Sequence, residues 1–91
     1  MATFYRAKHI LLAEEDDTEY ILEQLEAGES FESLAKEFSE CESGEKGGDL
    51  GRFASGAMAA EFEKAIYHMQ PGEIKSRVKT KYGFHIILRL E

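Results

Sequence analysis

One cysteine and one proline occur in these 91 residues, and basic side chains are outnumbered, with 11 Lys and Arg against 18 Asp and Glu. A single cysteine cannot close an internal disulfide, so nothing here points to an oxidising compartment. One proline leaves no proline-rich tract, and neither linkers nor internal repeats are found. The net charge of −7 argues against a general nucleic-acid binder, which needs a basic face to neutralise phosphates, and favours solubility. No apolar run is long enough to span a bilayer, and no apolar leader precedes Arg6, Lys8 and His9. These absences predict a cytoplasmic protein that engages neither membrane nor nucleic acid, and a monomer is expected. What remains, 43% apolar and 11% aromatic residues, is the composition of one folded domain over 1–91.

Periodicity supplies the elements. Residues 4–12 (FYRAKHILL) predict a strand with Tyr5, Ala7, His9 and Leu11 on one face and Phe4, Arg6, Lys8, Ile10 and Leu12 on the other. The acidic run from Glu14 to Asp17 suits a helix N-terminus, where Asp17 or Thr18 can cap. Ile21, Leu22 and Leu25 form that helix's apolar stripe, and Gly28 ends it. Ser30 caps a second helix whose Phe31, Leu34, Ala35 and Phe38 make one apolar face. Leu50 to Phe53 is a short strand at best. The spacing of Met58, Phe62, Ala65 and Ile66 predicts a third helix over about 58–67. Gln70-Pro71-Gly72-Glu73 predicts a type II turn. Residues 74–80 read as a strand with Lys75, Arg77, Lys79 and Lys81 in strict alternation. Residues 84–90 read as the strongest strand, with Phe84, Ile86, Leu88 and Leu90 set against His85, Ile87 and Arg89. Strands at both ends of a helical middle define an α+β domain, a sheet with helices packed on it.

The chemistry concentrates in 41–62, CESGEKGGDLGRFASGAMAAEF, a glycine-rich stretch shaped to approach something closely. It is no P-loop, because Lys46 precedes Gly47 and no helix-opening Ser or Thr follows. Dinucleotide-binding and nucleophile-elbow glycine spacings are also absent. His9 and His85 lie in the terminal strands, each opposite its strand's large-apolar stripe, and approach one another if those strands pair. With Cys41 they could form a thiol nucleophile, but Glu40 and Glu42 flank the cysteine and no oxyanion hole is identifiable. A zinc site would have three scattered ligands without the short-spaced pairs of structural zinc, so no metal is expected.

The run Gly47-Gly48-Asp49-Leu50-Gly51-Arg52-Phe53, then Gly56-x-Met58 and Phe62-Glu63-x-Ala65, closely resembles the parvulin-type peptidyl-prolyl cis/trans isomerases. Ala7-Lys8-His9-Ile10-Leu11, Phe31-x-x-Leu34-Ala35 and Gly83-Phe84-His85-Ile86-Ile87 extend the resemblance over nearly the whole chain. The resemblance implies a four-stranded antiparallel sheet surrounded by helices. It also implies a cofactor-free isomerase acting on proline-containing peptides and unfolded protein segments, and family members also occur as domains of longer exported proteins. His9 and His85 would hold a hydrogen-bond network joined by Thr80, Cys41 would stand over the substrate amide, Leu50, Met58 and Phe62 would form the pocket for the proline ring, and Tyr82 would also bind substrate. Met58 and Phe62 fit ordinary helix core equally well. The branch directed at phosphorylated Ser-Pro or Thr-Pro carries a basic loop after the first strand, where Glu14-Glu15-Asp16-Asp17 stands here, so no phosphate requirement is expected. The basic run from Lys75 to Lys81 is either a solvated edge that discourages strand pairing or a device steering acidic peptides. Two departures bear on loop conformation: Ala59-Ala60-Glu61 replaces a Pro common before the Phe62 position, and Ser76-Arg77 replaces a common Gly-Pro. A module that holds extended peptides without isomerising them is the rival reading.

Overall fold

The computed structural model describes residues 3–91. In chain order these form β1 (Phe4–Leu12), α1 (Glu15–Glu26), α2 (Phe31–Phe38), a 3₁₀ turn (Glu42–Lys46), β2 (Asp49–Ala54), α3 (Ala60–Tyr67), β3 (Ile74–Thr80) and β4 (Gly83–Arg89). The strands make one sheet in the order β2-β1-β4-β3, antiparallel throughout, so the two ends of the chain supply its centre.

Each sheet face is covered by helix. On one side Ile10, Leu12 and Ile86 pack with Ile21 of α1 and Phe31, Leu34 and Ala35 of α2. On the other, Tyr5, Ala7, Phe53, Val78 and Ile87 pack with Phe62, Ala65 and Ile66 of α3 and with Met69. Burial of Ile10, Ile66, Ile86 and Ile87 is complete or nearly so, each contributing about 1.5–3 kcal/mol. Both stripes of β1 and β4 are therefore core, and the histidines lie opposite the Ile10–Ile86 stripe, as expected, on the face that α3 covers. Arg89 stands on that face too. Its guanidinium lies 5.3 Å from the Tyr5 ring centroid and donates to the carbonyls of Ile66 and Met69, closing the C-terminal end of α3.

Several local expectations need correction. Neither Asp17 nor Thr18 caps α1: Glu14 holds the cap position without a side-chain bond, while Thr18 is fully buried and donates to the Glu15 carbonyl at 2.6 Å. Ser30 does cap α2, accepting from the Ser33 amide at 3.0 Å. β2 is a full six-residue strand because pairing with β1 overrides its glycine. α3 starts at Ala60, which leaves Met58 in the preceding loop. The alternation of β3 is broken by a bulge between Lys75 and Val78, where Arg77 takes a φ of 59° and pairs with Glu19 of α1. The turn at 70–73 has Gly72 at φ 91° and a bond from the Glu73 amide to the Gln70 carbonyl, as a type II turn requires.

Candidate active site

Pairing of the central strands sets Leu11 opposite His85 and His9 opposite Ile87, so the two imidazoles become diagonal neighbours on the α3 face. Their Nδ1 atoms are 2.9 Å apart and their rings stack at 5.1 Å. Phe62 from α3 meets both rings edge-on, at 5.7 and 5.3 Å. The outer nitrogens are also held. His85 Nε2 lies 2.8 Å from Thr80 Oγ1, and His9 Nε2 lies 2.9 Å from Ser43 Oγ.

Donor accounting gives this chain a direction. The Tyr82 amide donates to Thr80 Oγ1 at 3.2 Å, so the Thr80 hydroxyl keeps its own proton for His85 Nε2. His85 Nδ1–H then donates to His9 Nδ1, and His9 Nε2–H donates to Ser43 Oγ. The opposite direction would leave the Thr80 proton without a recipient. Burial, reinforced by the neighbouring His85, pushes the His9 pKa down to about 4, and burial lowers that of His85 as well. Both imidazoles are therefore neutral near pH 7, and the short Nδ1–Nδ1 contact excludes a pair in which both are charged.

Ser43 carried no signal in the sequence; backbone geometry brings it here. The Gly48 amide donates to the Ser43 carbonyl at 2.8 Å, and the Gly48 carbonyl accepts from the His9 amide at 2.9 Å, so one glycine ties the 3₁₀ turn to β1. Gly48 sits at φ 83°, and a Cβ there would lie 2.4 Å from the His9 carbonyl oxygen. Gly83 plays the matching part at the start of β4, where a Cβ would meet the Leu12 carbonyl at 2.6 Å.

Above the histidines opens a cavity of about 230 Å³. Cys41, Leu50, Met58, Phe62 and Tyr82 line it, together with Leu11 and Ala59, which the sequence did not single out. Its walls are almost wholly apolar. Thr80 does not line the cavity but stands behind His85. Cys41 is half-buried beside the opening, and among the described residues its thiol has no hydrogen-bond partner. No group of three or more His, Cys, Asp or Glu among the described residues is arranged to hold a metal. The connection from β1 to α1 is Ala13 and Glu14 alone, followed by three acidic residues in the first helical turn. Beside it Glu40 accepts from the Ala13 amide.

An antiparallel sheet wrapped by helices, with a paired-histidine floor beneath an apolar cavity, defines the class. The PPIC-type PPIase domain (Rotamase) pattern matches residues 9–91, so the chain belongs to that family of peptidyl-prolyl isomerase domains. Among relatives, it is 48% identical over 87 residues to the foldase protein PrsA of Bacillus subtilis, covering 94% of this chain and 30% of the relative. Identity to PrsA of Caldanaerobacter subterraneus is 49% over 83 residues, covering 90% of this chain and 27% of the relative. The crystal structure of Bacillus subtilis PrsA superposes with a TM-score of 0.92 at 47% identity, over 97% of this chain and 35% of that one. The solution structure of NmPin, the parvulin of Nitrosopumilus maritimus, superposes with a TM-score of 0.87 at 37% identity, covering 100% and 99%. The chain thus spans about a third of the length of the PrsA relatives and essentially all of NmPin.

Proposed function

We propose that this domain isomerises Xaa-Pro bonds that carry no phosphate, in unfolded or flexible polypeptides, without forming a covalent intermediate. The observation that carries the proposal is the apolar cavity built against a neutral histidine pair. A planar X-Pro amide is charge-separated by resonance, and the barrier to its rotation is about 18–20 kcal/mol. Twisting removes the resonance and returns charge from the carbonyl oxygen to the nitrogen. A dry site that offers the planar ground state little solvation therefore favours the twisted state; removing about 7 kcal/mol would accelerate exchange by roughly five powers of ten.

In this reading Leu50, Met58 and Phe62 grip the proline ring, with Tyr82 at the rim, while Cys41 forms a weakly polar wall over the amide. Thr80, His85 and His9 form a rigid chain of hydrogen bonds that holds the floor in place. The Ser43 hydroxyl closes the far end of that chain, holding His9 from outside the cavity. The minimal β1–α1 connection and its carboxylates offer no cation to a phosphoryl dianion, which supports unphosphorylated substrates. Assisting the folding of client proteins follows by likeness to the foldase relatives.

The test is a refolding protein whose slow phase is limited by a native cis proline. Substoichiometric amounts of this chain should accelerate that phase while leaving the fast phases unchanged. An unchanged slow phase, with the unfolded client nonetheless bound, would instead mark a peptide-holding module.

A further inference from the structure

Charge is distributed unevenly along this acidic chain. Fourteen of its eighteen carboxylates fall between Glu14 and Asp49, whereas five of its eleven Lys and Arg residues fall between Lys64 and Lys81. The fold gathers four of these cations along one trough and sets the fifth, Lys81, in an adjoining hollow. A trough of about 280 Å³ runs between α3 and the edge strand β3, lined by Lys64 and His68 from the helix side and Lys75, Arg77 and Lys79 from the strand, with Glu61 at one end. Arg77 is paired with Glu19, but among the described residues no carboxylate lies within salt-bridge distance of Lys64, Lys75, Lys79 or Lys81.

The trough and the cavity are neighbours on either side of an intermediate hollow. That hollow is lined by Met58, Ala59 and Tyr82, which also line the cavity, by Lys81, and by Glu61, which also lines the trough. Lysines on an edge strand are commonly a defence against strand pairing. That account covers Lys75 and Lys79 but leaves aside Lys64, which reaches the same trough from α3, and the hollow with Lys81 that adjoins both trough and cavity.

Resting on the isomerase reading above, the geometry points to an extended subsite: the α3–β3 trough receives an acidic segment of the same polypeptide whose Xaa-Pro bond occupies the cavity. The cations attract such a segment across roughly 10 Å at 0.1 M salt. Once the proline is seated, the second contact is intramolecular and gains from a high effective concentration. The acidic surface from Glu14 to Asp49 repels the same segment, so the two halves of the domain together orient the client.

The test compares three peptides sharing one central Ala-Leu-Pro-Ala sequence: one with neutral flanks, one with a short glutamate run a few residues on the amino side, and one with that run on the carboxyl side. Isomerisation is followed by magnetisation exchange, and binding by amide chemical shifts of the protein. One glutamate peptide should show a KM lower by about fivefold at low salt with kcat unchanged. Its shifts should extend to Lys64, His68 and residues 75–79. The Lys75→Glu/Lys79→Glu variant should lose that gain while isomerising the neutral peptide as before. The inference is overturned if neither glutamate peptide binds more tightly than the neutral one, or if the gain survives charge reversal. Failure to isomerise even the neutral peptide would sink the isomerase reading instead, while the shifts would still report whether the trough takes the acidic run.

Discussion

Mild acid should destabilise this protein well before its carboxylates titrate, because folding buries the His9–His85 pair in the neutral form. His9 moves from its ordinary 6.5 to about 4, and at about 1.4 kcal/mol per pH unit the full linkage is roughly 3 kcal/mol. Between pH 6.5 and 4 the unfolded chain binds a proton that the folded protein refuses. The stabilisation is therefore complete above 6.5, declines as pH falls, and is gone below 4. At pH 5 about 2 kcal/mol should already be lost, a large part of the 5–15 kcal/mol typical of a domain. His85, lowered by burial, adds in the same direction. Glu32, Asp49 and Glu63 are also lowered, but a carboxylate held low stabilises above its unfolded value and loses that contribution only as pH drops below it. Their window lies under that of the histidines. Urea unfolding at pH 7.5, 6 and 5 reads the slope, and His9→Leu should flatten it whatever its effect on absolute stability. Equal stability at pH 7.5 and 5, or an imidazole of His9 titrating near 6.5 by NMR in the folded protein, would refute the reasoning.

Gly48→Ala forces a Cβ to within 2.4 Å of the His9 carbonyl at a φ that L residues avoid. It should destabilise by about 2–4 kcal/mol in chemical denaturation and release Ser43 from His9, visible as a changed His9 side-chain resonance. Met58, half-buried in the loop before α3, should be separable from the core. Met58→Ala should raise KM for a proline peptide severalfold with little change in melting temperature, whereas Phe62→Ala, removing a buried ring, should lower stability by about 3–5 kcal/mol. Cys41→Ser should keep most of the isomerase activity in an exchange assay, as a weakly polar wall predicts; loss of activity in both Cys41→Ser and Cys41→Asp would restore a nucleophilic role.

The parts of the fold legible in the sequence are those where periodicity and burial coincide. β1, β4 and α2 carry unambiguous stripes, and Ser30 and the Pro71-Gly72 turn announce themselves by local chemistry alone. Elements decided by partners were harder to read. β2 contains Gly51 and follows a glycine loop, so only its ladder to β1 makes it a full strand. The i, i+4 spacing of Met58 and Phe62 fits a helix, yet the chain bends before Ala60 and turns Met58 toward the cavity wall. Arg77 shows no sequence sign of its positive φ, which comes from the bulge opposite β4.

The site divides in the same way. His9, His85, Cys41, Leu50, Met58, Phe62 and Tyr82, the residues to which the family resemblance gives roles, converge on one cavity. Thr80 reaches it only through His85. Ser43 was missed because a serine in a Glu-Ser-Gly turn resembles any other loop serine; it reaches His9 only through the two backbone bonds of Gly48.

Catalysis of unphosphorylated Xaa-Pro exchange is measured by magnetisation exchange on short peptides with Glu, Leu, Lys or phospho-Ser before the proline. Faster cis-to-trans exchange is expected for the unphosphorylated peptides, with no advantage for the phosphorylated one. Resonances of Leu50, Met58 and Phe62 that shift while every exchange rate stays at its uncatalysed value, or a marked preference for phospho-Ser, would contradict it.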